Sequence, residues 1–155
     1  MIDISKHITM QEAIYSPFAA SHGIKNEPPV NVIANMQHIA QTVFEPLRAH
    51  FGMPIKINSF FRSQALNQAL AGSSTSQHLT GQAIDIDATG NVTNKQLFDF
   101  IRLKLPFDQL IWEAGSDTNP DWIHVSLTRG VNRYQVLRSR RNSAGTMIYE
   151  DITNA

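Results

Sequence analysis

The sequence predicts an α+β fold of one domain, residues 1–155, in which a small antiparallel sheet packs against helices and carries two histidines and an aspartate on its outer face. Two observations predict it. Runs that alternate apolar and polar residues recur at Ile55–Ser59, Ala83–Asp87 and Ile123–Ser126, the period of a strand with one face in the core. A longer stretch, Val30 to about Phe51, repeats its apolar residues at three-and-four spacing, the stripe of a helix that buries one side. Helices laid on one face of such a sheet satisfy both patterns at once. A chain of this length buries roughly two-thirds of its unfolded surface and needs no disulfide to stand alone.

Thr9 followed by Glu12 is a capping box, which opens a short helix at Met10 that ends near Tyr15. Pro17 to His22 forms a second small helical turn with Gly23 as its stop, and the proline-bearing Lys25–Pro29 is a loop. In the helix from Val30, the core stripe is Val32, Ile33, Met36, Ile39, Ala40, Val43, Phe44 and Leu47; Pro46 is expected to kink it or begin a new segment. His38 and His50 lie on its surface, with no ligand-type side chain three or four residues on. The strand Ile55–Ser59 delivers the chain to Phe60, Phe61 and Arg62, where Ser63 caps a helix running to about Ala71. Arg62 thus stands at a strand-to-helix corner held rigidly from both sides. On its own residues it reads as a surface salt-bridge partner.

A polar loop, Gly72–Thr75, precedes SQHLTGQAIDID, Ser76–Asp87, the stretch around which the rest is organised. In its strand Ala83, Asp85 and Asp87 share one face and Ile84 and Ile86 the other, so a carboxylate points away from the core. Thr93 and Gln96 make another capping box, opening a helix through Leu97, Phe98, Ile101 and Leu105 that Pro106 ends, with Asp99 and Arg102 on its solvated face. Gln109–Glu113 is a short strand, Gly115–Asn119 a loop, and the next strand sets Ile123 and Val125 opposite His124. Where those two strands are neighbours, Glu113 comes near a metal at His124 or orients a ligand from behind. Arg133–Arg138 alternates as a further strand. Arg138, Arg140 and Arg141 form a basic cluster that reads as the charged guard of an edge strand or as an anion-binding patch. Thr146–Ile152 adds a last strand or trails off without structure.

His78, Asp85 and His124 together make a ligand set. A catalytic zinc takes three N or O ligands and keeps a fourth position for water. The chain has no cysteine, so any metal is held by His, Asp or Glu. Taken singly, each of the three has a plainer reading as a solvated carboxylate or a hydrogen-bonded imidazole.

The string S-x-H-x-x-G-x-A-x-D, here Ser76, His78, Gly81, Ala83 and Asp85, resembles the first zinc motif of the M15 metallopeptidases. These include D-alanyl-D-alanine carboxypeptidases and dipeptidases and phage endolysins that cut L-alanyl-D-glutamate bonds. WIHVS, Trp122–Ser126, resembles the strand of their third ligand, and PIKINSFFRSQALNQAL, Pro54–Leu70, the segment that supplies a family arginine, which falls on Arg62. The likeness covers nearly all of residues 1–140 and is greatest to the small phage and prophage branch. It implies zinc as cofactor on His78, Asp85 and His124, a fold similar to the DD-peptidases and the hedgehog signalling domain, and peptidoglycan stem peptides as substrate.

The resemblance further implies that Arg62 donates to the scissile carbonyl oxygen and that Ser76 binds substrate or holds its loop. Asp121, three residues before His124, matches the offset at which the dipeptidases and some endolysins carry their acidic general base. Residues three apart on a strand face opposite ways, so Asp121 serves only if it precedes the strand, which Pro120 and the loop before it favour. The family's carboxypeptidases carry a histidine two residues before the last ligand. Here that position is Trp122, which shares a face with His124 and is placed to wall the substrate pocket. Two peptidase activities stay open, D-Ala-D-Ala carboxypeptidase and L-Ala-D-Glu-type endopeptidase. Beside them stands a non-catalytic, zinc-stabilised wall-binding or phage structural module.

Thirteen basic and thirteen acidic residues cancel, which disfavours nucleic acid as a partner. No run approaches the eighteen apolar residues of a membrane span and no basic-then-apolar leader opens the chain, so it is expected to be cytoplasmic at synthesis and to reach the wall on release or by another export route. No G-x-S-x-G turn occurs, which discounts a serine nucleophile. Oligomeric state is left open.

Overall fold

The computed structural model describes residues 3–155. Helices α1 (Met10–Ile14) and α2 (Pro17–His22) open it, each started by the side chain of the residue before it, Thr9 and Ser16, and α2 stopped by Gly23 in the left-handed region. The long amphipathic stretch forms α3 (Val30–Ile39) and α4 (Glu45–Phe51), joined through a π-helical turn at Ala40–Phe44. Pro46 explains the turn. It has no N–H, and its ring would collide with the carbonyl four residues back in a regular helix. The helix widens instead, Glu45 N–H donating to the Ala40 carbonyl five residues back, so the expected kink is absorbed without breaking the apolar stripe.

Strand β1 (Ile55–Ser59) leads to α5 (Gln64–Ala69), then β2 (Ala83–Ala88), α6 (Asn94–Lys104), β3 (Gln109–Glu113), β4 (Trp122–Ser126), β5 (Gln135–Arg141) and β6 (Met147–Asp151). They form one six-stranded sheet in the order β1-β2-β4-β3-β5-β6. All neighbours are antiparallel except β3 and β5. That parallel pair arises because the segment after β4 passes the start of β3 and lays β5 on its far side, so Gln109 faces Ser126 on one flank and Gln135 on the other. The core lies under one face, where Ile84, Ile86, Leu110, Ile123 and Val125 join Met36, Ile39, Leu97 and Ile101, all at most 1% exposed. Each such side chain contributes about 1.5–3 kcal/mol by leaving water.

Two contacts aim the opposite face. Asn26 Nδ2 donates to the carbonyls of Ile14 (2.7 Å) and Phe61 (3.1 Å), and its Oδ1 accepts from Ser63 N–H at 2.7 Å, which pins the corner that bears Arg62. Gly81 has φ +70°, and a Cβ there would lie 2.6 Å from Met36 Cγ and 2.9 Å from the Val32 carbonyl oxygen. The turn after His78 therefore seats directly on α3.

Two surface expectations need correction. Arg138, Arg140 and Arg141 do not form one patch, because alternation turns Arg141 to the opposite face and each has its own partner. Arg138 lies over the Trp112 ring and pairs with Asp117, Arg140 pairs with Glu150, and Arg141 donates to the Gly145 carbonyl. Arg102 is not merely solvated but donates to the carbonyls of Ile152, Thr153 and Ala155, fastening the C-terminal residues. Residues 147–151 form a strand, one of the two courses the sequence leaves open. Among the described residues no helix is long and apolar enough to cross a membrane.

Candidate active site

Register makes the site. Asp85 on β2 stands opposite His124 on β4, on the face away from the helices. Asp85 Oδ1 lies 2.9 Å from His124 Nδ1 and 3.4 Å from His78 Nε2, and the three donor atoms all lie within 4.8 Å of one another. Ligands at about 2.0–2.2 Å from a tetrahedral zinc sit about 3.3 Å apart, so the spacing suits such an ion.

His78 is not on a strand but is fastened to the Arg62 corner. Its carbonyl accepts from Arg62 N–H at 3.1 Å, and its Nδ1 lies 2.7 Å from the Phe60 carbonyl oxygen. A carbonyl only accepts, so Nδ1 carries a proton and Nε2 is the ring nitrogen turned toward Asp85. Burial alone would push the Asp85 carboxyl up; the charge of His78 and hydrogen bonds from His124 and His78 outweigh it and hold Asp85 far below the usual carboxylate range. A bare imidazole nitrogen and an ionised carboxylate at 3.4 Å repel unless a cation, proton or metal, lies between them. The donor set fits a metal ion.

Arg62 Nε donates to Ser59 Oγ at 3.0 Å and its Nη2 lies 3.6 Å from Asp85 Oδ2, which places the guanidinium beside the group. Ser76 Oγ accepts from His78 N–H at 3.3 Å, so it holds the loop. Asp121 lies exposed immediately before β4, its N–H on the Glu113 carbonyl at 2.9 Å. Trp122 is half-buried on the face of His124, opposite Glu113. The strands of Glu113 and His124 are neighbours, and Glu113 is buried on the site face, accepting from Ser139 Oγ at 2.6 Å. Burial raises its carboxyl above the ordinary range, against the Ser139 bond and the charge of His124, with Asp85 adding to the rise.

A family model described as peptidase M15 matches residues 6–126. The chain belongs to the M15 peptidase family. No curated protein matches it in a sequence search. The matched span runs from before α1 to the end of β4 and holds the whole His78–Asp85–His124 group, while β5 and β6 lie beyond it.

In this M15 peptidase the metal group opens into a cleft of about 760 Å3, walled by Arg62, the 71–77 loop, Gln109, Ile111, Arg133, Leu137 and Tyr149. Asp121 and Trp122 do not figure among the described residues that line it. Burial, with Glu113 and Asp85 nearby, raises the Tyr149 phenol, so it faces the cleft as a hydrogen-bond donor. Sequence reasoning misses Gln77, Arg133 and Tyr149. Gln77 is inside the motif and adjacency would have found it; the other two arrive through β5 and β6, with no local pattern tying them to the motif. A second groove, of about 600 Å3, follows β1 beside Tyr15 and Arg48 and holds no comparable donor group among the described residues.

Proposed function

We propose that the protein is a zinc-dependent peptidase that hydrolyses amide bonds in peptidoglycan stem peptides, acting on the wall after release from the cell that makes it. One observation carries this reading: a His-Asp-His group whose donor atoms lie within 4.8 Å of one another opens into a cleft, on a chain of a peptidase family. Zinc at such a group polarises a carbonyl and lowers the pKa of water from about 15.7 to about 7.

The chain's own residues supply the rest. Ser59 holds Arg62 by Nε, which leaves other guanidinium hydrogens for the carbonyl oxygen of the scissile bond as charge builds on it. A carboxylate must take the water's proton and return it to the leaving amine, a contribution of about 10² to 10⁴ in rate. By its offset from His124 we assign that task to Asp121. Glu113 is the second reading, favoured by its burial on the site face and by a carboxyl raised toward the range of a poised base.

The deciding experiment incubates purified peptidoglycan fragments with zinc-loaded protein and with a chelator-stripped control and reads the products by mass spectrometry. A zinc-dependent product establishes the peptidase. Its mass names the bond, separating loss of terminal D-alanine from an L-Ala-D-Glu cut. No product across several wall chemistries, with zinc bound, sinks the reading in favour of a non-catalytic wall-binding or phage structural module. Asp121→Ala and Glu113→Gln then separate the two acids: the base's variant loses about 10²-fold or more in kcat with zinc stoichiometry intact, and the other stays within a few-fold.

A further inference from the structure

Arg133 lines the same cleft as His78, Asp85 and His124, and the reaction above gives it no task. Its position is built. Arg133 Nε lies 3.1 and 3.2 Å from the two carboxylate oxygens of Asp108, its Nη2 2.7 Å from Oδ2, and its backbone N–H 2.9 Å from Oδ1. Asp108 is 4% exposed, and its Oδ2 also accepts from Gln77 Nε2 at 3.0 Å. Since Gln77 precedes His78, one buried carboxylate braces both the metal loop and the guanidinium.

The Arg133 side chain nevertheless stays 57% exposed, and Nη1 makes no hydrogen bond among the described residues. An arginine usually gives up rotamer freedom when it grips a ligand; here Asp108 has already fixed the fork. A planar fork with a free edge is complementary to a carboxylate. The surrounding lining adds hydroxyls, amides and the apolar Ile111 and Leu137, and its one acid, Asp85, is engaged by two imidazoles and Arg62. Asp151, which shares an adjoining hollow with Arg133, is engaged by Gln135 and Thr153. Arg133 also lies outside the span matched by the family.

We propose that Arg133 selects peptides bearing a free carboxylate in this cleft, with Asp108 as its positioning residue. The inference rests on the peptidase reading for the bond cut but not for the binding. The carboxylate has two sources, the peptide's C-terminus or an internal acidic residue. The test uses four synthetic stem peptides, with the C-terminus as acid or amide and the internal glutamate as acid or carboxamide, on zinc-loaded protein. In the wild type, amidating the recognised carboxylate should raise KM about ten-fold or more with kcat nearly unchanged, the size of a lost charge-assisted hydrogen bond. Only one of the two amidations should do so, which names the source. Arg133→Lys keeps a cation for Asp108 but loses the fork; it should raise KM for the acid by a similar factor and no longer tell acid from amide, with its melting temperature close to wild type. Equal KM for all four peptides, or unaltered discrimination in Arg133→Lys, overturns the proposal. Should none of the four be cut, isothermal titration of the same peptides reads the same discrimination as Kd, which separates failure of this inference from failure of the peptidase reading.

Discussion

A single backbone carbonyl decides what His78 can do: by accepting from Nδ1, Phe60 leaves Nε2 free for a cation. Asp108 is the second residue whose chemistry is set by neighbours. Burial pushes its carboxyl up, but the bonds from Arg133 and Gln77 together outweigh this and hold it below the ordinary range. A carboxylate lowered in the folded state adds stability above its unfolded pKa of about 3.9, and that stability is lost as pH falls through the depressed value. Asp108→Asn should therefore cost about 1.5–3 kcal/mol at pH 7 by denaturant unfolding, and the gap from wild type should close as pH drops below about 4. A gap that stays constant down to pH 3 would show that charge is not the cause. Asp85 and His124 are legible in the sequence because strand period states where a side chain points, and His78 because it stands in the same short motif as Asp85. Asn26 and Arg133 are not, since their partners lie 35 and 25 residues away in the chain and loop residues carry no period.

Among the elements, the turn after His78 is the most constrained. Met36 can swing away from a Cβ at Gly81, but the Val32 carbonyl oxygen, 2.9 Å from it, belongs to the backbone of α3. Gly81→Ala should cost about 2 kcal/mol or more and weaken zinc binding, read by thermal melting and by competition with a chelating dye. Gly23→Ala is the control. Its φ is +63° but nothing lies within 4 Å, so it should cost about 1–2 kcal/mol and leave zinc affinity alone. Equal zinc affinity in both variants would mean that the turn does not set the ligand. Element ends are legible wherever caps are: Thr9 with Glu12, Thr93 with Gln96, and Gly23 all act as the sequence implies. The π turn is not, because Pro46 announces a disruption without saying whether the chain will bend or widen. Nor is the β3–β5 pairing, since alternation marks a strand and is silent about its partner.

For the molecule as a whole, an α+β sheet against helices was readable from two periodicities, while its six-strand extent depended on β5 finding β3 and β6 finding β5. The candidate metal donors come from β2, β4 and the loop between α5 and β2, so an ion there would tie distant segments together. At a free zinc concentration 100 times Kd the stabilisation is about 2.7 kcal/mol, or about 5–10 °C for a domain of this size. Chelation should lower the melting temperature by that amount, and Asp85→Asn should abolish the response; an unchanged melt after chelation would mean that no zinc sits there. β2 and β4 are inner strands, hydrogen-bonded on both flanks, whereas Arg133, Leu137 and Tyr149 belong to the segment after Ser126. The three donor residues thus all precede Ser126, while one wall of their cleft comes from the stretch that follows it. A descendant could exchange everything after Ser126 for another tail able to pair with β3, and so rebuild one wall of the cleft while inheriting the three donor residues.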